Sequence, residues 1–226
     1  MTDNILIAVA WPYANADIHV GNLTGSYLPA DICARYHRMR GRNVLMVSGS
    51  DSHGTPITVK ADALGTTPLE VYRANHARFL ELFQKMGLTY DLFTSTHTEN
   101  HFQVSQLAFT TLKENGFLYT ASEKQWFSTA QQRFLPDRYV EGTCYICGNP
   151  DARSDQCEKC GHMLEPELLL NPRSKVDGST PVLKETEHFY LDLSSLEPEI
   201  VAFPKARESY WRPNVIRQSL RQILAD

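Results

Sequence analysis

The stretch ILIAVAWPYANADIHVGNLTG, Ile5 to Gly25, decides how the rest of this chain is read. Its opening, Ile5 to Ala10, is a short continuous apolar run, the pattern of a strand buried on both faces. A turn follows through Trp11, Pro12, Tyr13, Ala14, Asn15, Ala16 and Asp17, and Gly21 and Asn22 then lead into a helical segment. A helix that starts straight after a strand presents unpaired backbone N–H groups and a partial positive charge, a setting suited to phosphate. Gly21 leaves room for a ligand to approach the backbone. His19 and Asn22 lie three residues apart, so both can face one phosphate and donate hydrogen bonds to charge that develops during attack. Taken alone, the tetrapeptide HVGN favours the plainer reading of a core histidine and a helix cap.

Outward from this stretch the chain alternates strand and helix signals. Leu23, Tyr27, Ala30 and Ala34 recur at helical spacing up to Arg40, where Gly41 ends the helix. Pro29 inside that pattern predicts a bend or an irregular first turn, and Cys33 reads as a small core residue. Asn43 to Ser48 reads as a second buried strand, and Gly49 to Pro56 as the loop at its carboxyl end. Ligands of doubly wound sheets collect at such ends, which places Asp51 and His53 to meet an amine or an adenosine. The plain alternative for Asp-Ser-His-Gly is a polar turn.

Thr67, Pro68 and Glu70 form a capping box with a proline in the first turn. Leu69, Tyr72, His76, Phe79, Phe83 and Met86 then mark one stripe, on which His76 reads as a satisfied buried histidine, and Gly87 stops the helix. Tyr90 to Thr94 predicts a third strand. Thr96 and Glu99 predict the cap of a helix that bears Phe102, Phe109 and Leu112 and closes at Gly116. Such alternation over residues 4–116 argues for an α/β fold with a parallel sheet and right-handed crossovers, half of a dinucleotide-type fold. There is no GxGxxG after the first strand and no GxxxxGK[ST], which weighs against dehydrogenase and P-loop readings.

From Phe117 onward, aromatic and β-branched residues in short runs predict strands and turns. The sharpest motif there is CYICGNPDARSDQCEKCGHM, Cys144 to Met163. Cys144 and Cys147 form one CxxCG knuckle, Cys157 and Cys160 another, and Gly148 and Gly161 permit the tight turns. Four sulfurs with no redox demand suit zinc. The competing reading, two disulfides, requires an oxidising compartment. A closed set of four thiolates leaves no open position for catalysis, so the ion is a structural staple. His162 is adjacent but unnecessary. Further on, Asn171-Pro172 and Asp177-Gly178 separate strand-like runs, Glu187 to Leu193 alternates, and Pro204 and Pro213 cut a helical tail in which Trp211, Val215, Leu220 and Ile223 can pack.

Composition sets outer bounds. The 226 residues are 42% hydrophobic and 21% charged, an ordinary globular mixture with enough length for a substantial core. The start, MTDN, lacks a basic region, and no apolar run approaches the roughly eighteen residues of a bilayer span. The expectation is a cytoplasmic protein with no membrane partner. Net charge is −4, falling to −6 if four thiolates hold one zinc ion (−4 − 4 + 2), so the whole chain does not attract nucleic acid electrostatically. Arg35, Arg38, Arg40 and Arg42 form one local basic group, which also fits the cations favoured near a helix C-terminus.

WPYANADIHVGN resembles the HIGH signature of the class I aminoacyl-tRNA synthetases, in the version of the methionyl-tRNA synthetase family. Arg133 to Val140, RFLPDRYV, is similar to that family's segment before its zinc knuckle, and Leu168 to Leu193 looks like the part of its connective domain after it. The resemblance covers nearly all of the chain. It implies the first half of a Rossmann-like nucleotide-binding fold over residues 1–116 and a zinc-binding connective domain with a trailing helical segment over 117–226. It also implies a methionine–tRNA ligase reaction: methionine and ATP give methionyl-adenylate, and the methionyl group passes to tRNA.

By the same resemblance, His19 and Asn22 are catalytic and bind ATP together with Gly21; Ala10, Trp11 and Tyr13 line the methionine pocket; and Asp51 binds the substrate amine. Cys144, Cys147, Cys157 and Cys160 hold zinc, and magnesium accompanies ATP as a substrate ion. Two departures stand out. Asn22 replaces the family's second histidine, and an amide is shorter and never cationic. Trp11 stands where leucine is more usual. The family's KMSKS lysine loop and its anticodon-binding domain lie beyond what these residues supply, which implies a complementing carboxyl-terminal half and little activity from this chain alone. A non-catalytic paralogue that binds nucleotide, amino acid or a partner is the alternative.

Overall fold

The computed structural model describes residues 3–223. They form two compact units, Met1–Val104 with Trp126–Val182, and Ser105–Gln125 with Leu183–Asp226. The change of pattern at Phe117 therefore falls inside the second unit. No helix among the described residues is long and apolar enough to cross a membrane.

The first unit opens with β1 (Asn4–Ala8), a three-residue helical turn α1 (Val20–Asn22), a π-helical segment Leu23–Tyr27 and α2 (Leu28–Met39). Pro29 sits in the first turn of α2, and the irregularity expected of it takes the form of that π segment. β2 (Asn43–Ser50), α3 (Thr55–Leu64), α4 (Pro68–Lys85), β3 (Leu92–Ser95) and α5 (Glu99–Glu114) follow. The sheet is parallel in the order β1-β2-β3, with Ile7 opposite Met46 and Ser48 opposite Phe93.

Helix α3 has no counterpart in the sequence reading, which passed from the loop after β2 straight to Thr67. Its first turn has Gly54 as cap, with no side-chain cap bond, and Gly65 closes it in the left-handed conformation. Helix α4 starts as its sequence predicts, with Thr67 Oγ1 accepting from the Glu70 N–H and Glu70 accepting from the Thr67 N–H. These threonines hold the Glu70 carboxyl down to about 2, the Thr66 hydroxyl contributing most. Helix α5 departs from expectation. Its first turn is capped by Thr98, whose Oγ1 accepts from the His101 N–H, while Thr96 Oγ1 accepts from the Ser52 N–H across the sheet.

The core lies on one face of this sheet. Ile7, Val9, Val44, Met46 and Phe93 pack with Tyr27 and Ala34 of the first helical run and with Val71, Phe79 and Phe83 of α4. Each large apolar side chain buried there contributes about 1.5–3 kcal/mol. The opposite face, with Leu6 at 66%, Leu45 at 50% and Leu92 at 54% exposure, is open. β1 is therefore covered on one face only, a correction to the doubly buried strand that an unbroken apolar run suggests. Cys33 is exposed, not core, because Tyr27, Asp31 and Ala34 take the inward positions of its helix. Asp31 is buried, and its ordinary pKa is lowered. Burial opposes that shift, and hydrogen bonds from Thr89 and Arg35 outweigh it.

The chain continues through β4 (Leu118–Ser128), β5 (Arg133–Phe134), a 3-10 turn at Asp137–Tyr139, β6 (Val140–Thr143), β7 (Ala152–Arg153), a second 3-10 turn at Pro166–Leu168 and β8 (Leu170–Ser174). β7, β6 and β8 form a small antiparallel sheet beside the cysteines. In the second unit, β9 (Val182–Leu191) is followed by α6 (Leu193–Lys205) and α7 (Pro213–Ile223), broken near Pro204 and Pro213 as expected. Ile216 takes the buried position on α7 while Val215 stays exposed, and Trp211 packs edge-on against Phe203. The side chain of Ile223 lies outside the described residues.

Candidate active-site corner and cysteine cluster

Two backbone ladders fix the turn after β1. The Val9 N–H donates to Val47 O at 2.9 Å, Ala14 N–H to Asp51 O at 2.9 Å, and Asp51 N–H to Pro12 O at 2.8 Å. Tyr13 and Asp51 thereby pair as a parallel bridge, which brings two of the expected pocket residues side by side. Trp11 lies against Gly49, where an added Cβ would sit 2.7 Å from both the indole and Thr94 O. Glycine is required at that position because two backbones and an indole converge there. Ala10 is exposed beside this turn.

One buried residue that sequence reasoning missed holds the turn from below. Asn75 of α4 donates from Nδ2 to Ala14 O at 3.1 Å and to Val71 O at 2.9 Å. Its only sequence signal was a polar residue on the inner face of an amphipathic helix. Close by, His76 Nδ1 meets Ser50 Oγ at 2.7 Å, its ring stacked with Phe93. Burial lowers its pKa. His53 Nε2 and His97 Nδ1 approach to 3.1 Å at the carboxyl end of the sheet.

At the helix start, His19 and Asn22 cap each other. Asn22 N–H donates to His19 Nδ1 at 3.3 Å, and His19 N–H donates to Asn22 Oδ1 at 3.3 Å. The consequence is directional. A neutral His19 whose Nδ1 accepts must carry its proton on Nε2, and an Asn22 whose Oδ1 accepts has its NH2 group free to donate. Both side chains turn their acceptors toward the backbone and keep donors for the outside, where the Val20 and Gly21 N–H groups also lack acceptors within the helix. The space above Gly21 belongs to His19 itself: a Cβ there would lie 2.9 Å from its Cε1. The glycine thus admits the folded-back imidazole, a more specific role than ligand access.

The basic group in α2 and just past its end is spent within the protein. Arg35 bonds Asp31, Arg38 bonds Thr89 and Asp91, Arg40 bonds the Tyr36 hydroxyl, and Arg42 pairs with Asp3.

The four cysteines converge. Their sulfurs all lie within 4.8 Å of one another, a group that can hold a metal ion. Cys144 and Cys160 sulfurs are 4.0 Å apart, and those of Cys147 and Cys157 3.6 Å, beyond any disulfide bond. The two knuckles are built alike. Gly148 N–H donates to Cys144 O at 2.9 Å and Gly161 N–H to Cys157 O at 2.8 Å, with both glycines at positive φ. The Cys160 N–H, against the effect of burial and helped by the Lys159 N–H, brings the Cys157 thiol down to about 6. His162 is exposed and contributes its carbonyl, which accepts from Cys157 N–H.

The family model for class I tRNA synthetases (M) matches residues 5–226. The methionine–tRNA ligase of Roseiflexus sp. (strain RS-1) is 54% identical over 217 residues, 96% of this chain and 37% of that protein. That of Thermomicrobium roseum is 52% identical over all of this chain and 38% of its own length. This chain thus spans well under half the length of these relatives. The Mycobacterium tuberculosis methionyl-tRNA synthetase in complex with methionyl-adenylate superposes with a TM-score of 0.71 at 19% identity, over 99% of this chain and 39% of that one, a likeness of fold. A parallel sheet whose first turn ends in a donor-bearing helix start, a four-cysteine insertion, and a family match over nearly the whole length lead to one conclusion: the chain belongs to the class I tRNA synthetase (M) family.

Proposed function

We propose that this chain supplies the first half of the nucleotide-binding fold, with its connective domain, of a methionine–tRNA ligase. The observation that carries this reading is the reciprocal His19–Asn22 cap, which leaves two side-chain donors outward at a helix start. In the reaction, a carboxylate oxygen of methionine attacks the α-phosphorus of ATP and the bond to the β-phosphate breaks, releasing pyrophosphate. A ribose hydroxyl of tRNA then displaces AMP from the acyl carbon. His19 Nε2, the Asn22 amide and the N–H groups near Gly21 meet the phosphates, and their bonds strengthen as charge builds during attack. Asn22 keeps the donor that the family's second histidine would offer, without the possibility of a positive charge.

Ala10, Trp11 and Tyr13 form the wall for the methionine side chain, and Asp51, bridged to Tyr13, receives its ammonium group. Magnesium would accompany ATP as a substrate ion and offset its phosphate charge. The cysteine cluster takes one structural zinc ion. Tetrahedral zinc with bonds of about 2.3 Å would set sulfurs about 3.8 Å apart; two pairs lie at 3.6 and 4.0 Å, and all four sulfurs fall within 4.8 Å of one another. When bound, the ion fastens the knuckle segment, and Tyr139, through its hydroxyl to Asp62 at 2.8 Å, ties that segment to α3.

No KMSKS lysine loop occurs in the 226 residues. Little pyrophosphate exchange is therefore expected of this chain alone, and robust exchange would count against the half-site reading. The deciding experiment is calorimetric titration with a methionyl-adenylate mimic. Binding that is lost in Asp51→Asn and His19→Ala supports the ligase, and a silent titration of folded protein refutes it.

A further inference from the structure

In the loop at the carboxyl end of β2, Asp51 has a part in the proposed reaction and His53, two residues on, has none. The structure nevertheless holds His53 more firmly than an exposed loop side chain requires. Its Nε2 meets His97 Nδ1 at 3.1 Å. Phe102 of α5 stacks on the His53 ring with centroids 6.0 Å apart, and packs edge-on against His97 at 5.3 Å. His97 is itself anchored. Its N–H donates to Ser95 Oγ at 3.0 Å, and Tyr72 of α4 donates its hydroxyl to the same oxygen at 2.8 Å.

The imidazole contact is the outermost of three that join the loop after β2 to the loop after β3. Thr96 N–H donates to Ser50 O at 3.0 Å, Ser52 N–H donates to Thr96 Oγ1 at 2.8 Å, and the two rings close the row. The first two secure the backbone on either side of Asp51, which also pairs with the turn after β1. Its carboxylate is held differently. Among the described residues it forms no ion pair, and its Oδ1 accepts from the His53 N–H at 3.4 Å, a long bond. The direction of that carboxylate therefore depends on where the His53 backbone lies. Gly54, next in the chain, has a φ of 112° and no side chain to restrict the backbone there, so the paired rings are what anchor His53.

We infer that His97 is a positioning residue: through His53 it sets the Asp51 carboxylate to receive the ammonium group of the amino-acid substrate. Asp51 has that role under the ligase reading, on which this assignment rests. His97 is given no contact with substrate or with the reacting atoms. It acts by removing freedom from the loop before the substrate arrives, so that less ordering is left for the binding step. An ammonium group bonds in fixed directions, and a carboxylate already aimed at it loses less on capture.

The test titrates the full chain with a methionyl-adenylate mimic by calorimetry and follows its backbone amide signals by NMR. His97→Leu keeps bulk against Phe102 and removes the ring nitrogen, whereas His97→Asn restores a polar atom near the place of Nδ1. His97→Leu should bind the mimic about tenfold more weakly, the upper end of what one lost hydrogen bond costs. His97→Asn should regain most of that loss. The His53 and Gly54 amide signals should shift in His97→Leu and return toward the parent's positions in His97→Asn. The double variant His53→Leu/His97→Leu should bind no more weakly than His97→Leu, because both changes remove the same contact. If His97→Leu melts early, His53→Leu reads that contact from the other side. Undiminished binding by His97→Leu, no rescue by His97→Asn, or additive losses in the double variant overturns the inference and leaves the ligase reading in place. A parent that does not bind the mimic refutes the ligase reading and, with it, the ammonium's part. The amide signals then judge the contact alone: shifts in His97→Leu keep its hold on the Asp51 loop, and unmoved signals remove that as well.

Discussion

At the cysteine cluster the four functional atoms gather together, with sulfurs within 4.8 Å of one another. At the His19 corner the arrangement is turned inside out: acceptors face the chain and donors face the surroundings. Both sites use a short glycine-bearing turn, yet the turns do different work. Gly148 and Gly161 adopt positive φ so that backbone N–H groups can double back, whereas Gly21 is needed for the space its missing side chain leaves to His19. Under the proposed function, the cysteine cluster closes around one ion, while the His19 corner keeps donors for a visiting ligand.

Removing metal with a strong chelator is the largest test of that contrast. Structural zinc is worth about 10–16 kcal/mol in small zinc-dependent peptides, and the sheet of β6, β7 and β8 has few buried side chains besides. Hydrogen exchange should then lose protection at Val140 and Ala152 while β2 stays protected. Equal loss in both regions would break the distinction. His19→Ala comes next. In an enzyme completed by the rest of its fold, it should cost about 3–4 kcal/mol at the transition state but only about 1 kcal/mol of stability, as the loss of a cap does. Pyrophosphate exchange and urea unfolding measure the two, and equal effects would make His19 a merely structural cap.

Gly49→Ala sharpens the comparison at the base of the corner. Its Cβ would meet Trp11 and Thr94 O at 2.7 Å, so an overpacking cost of about 1–3 kcal/mol and a shift in Trp11 fluorescence are expected. The smallest effect is a pH dependence. Burial lowers the pKa of His76 from 6.5, so as pH falls through that value the unfolded chain takes up the proton first. Stability should decline from pH 6.5 downward until the folded ring also protonates, then level off. His76→Gln should remove that decline in urea melts, and an unchanged profile would free the Ser50–His76 contact from any part in it.

Local chemistry was legible in the sequence where the partners are sequence neighbours. The Thr67 cap, the paired CxxCG knuckles and the three-residue spacing of His19 and Asn22 all lie within a turn or two. What stayed hidden depends on contacts across the fold. Thr96 reads as the cap of α5 until Ser52, 44 residues away, claims its hydroxyl. Asn75 gives no hint that it supports Ala14, 61 residues earlier. Helix α3 escaped notice because Gly54 caps it without a side chain and its apolar face is weakly marked. The unbroken run Ile5 to Ala10 reads as doubly buried because apolar residues do not reveal which neighbours cover them.

Under the proposed function, the mutual cap between His19 and Asn22 also bears on how fast a ligand would be captured. Freezing a mobile side chain during association usually costs about 0.5–1.5 kcal/mol, and here that ordering is completed when the chain folds. On that reading an arriving triphosphate would meet groups already in position, so its capture rate would be governed by diffusion and orientation, not by a search among rotamers.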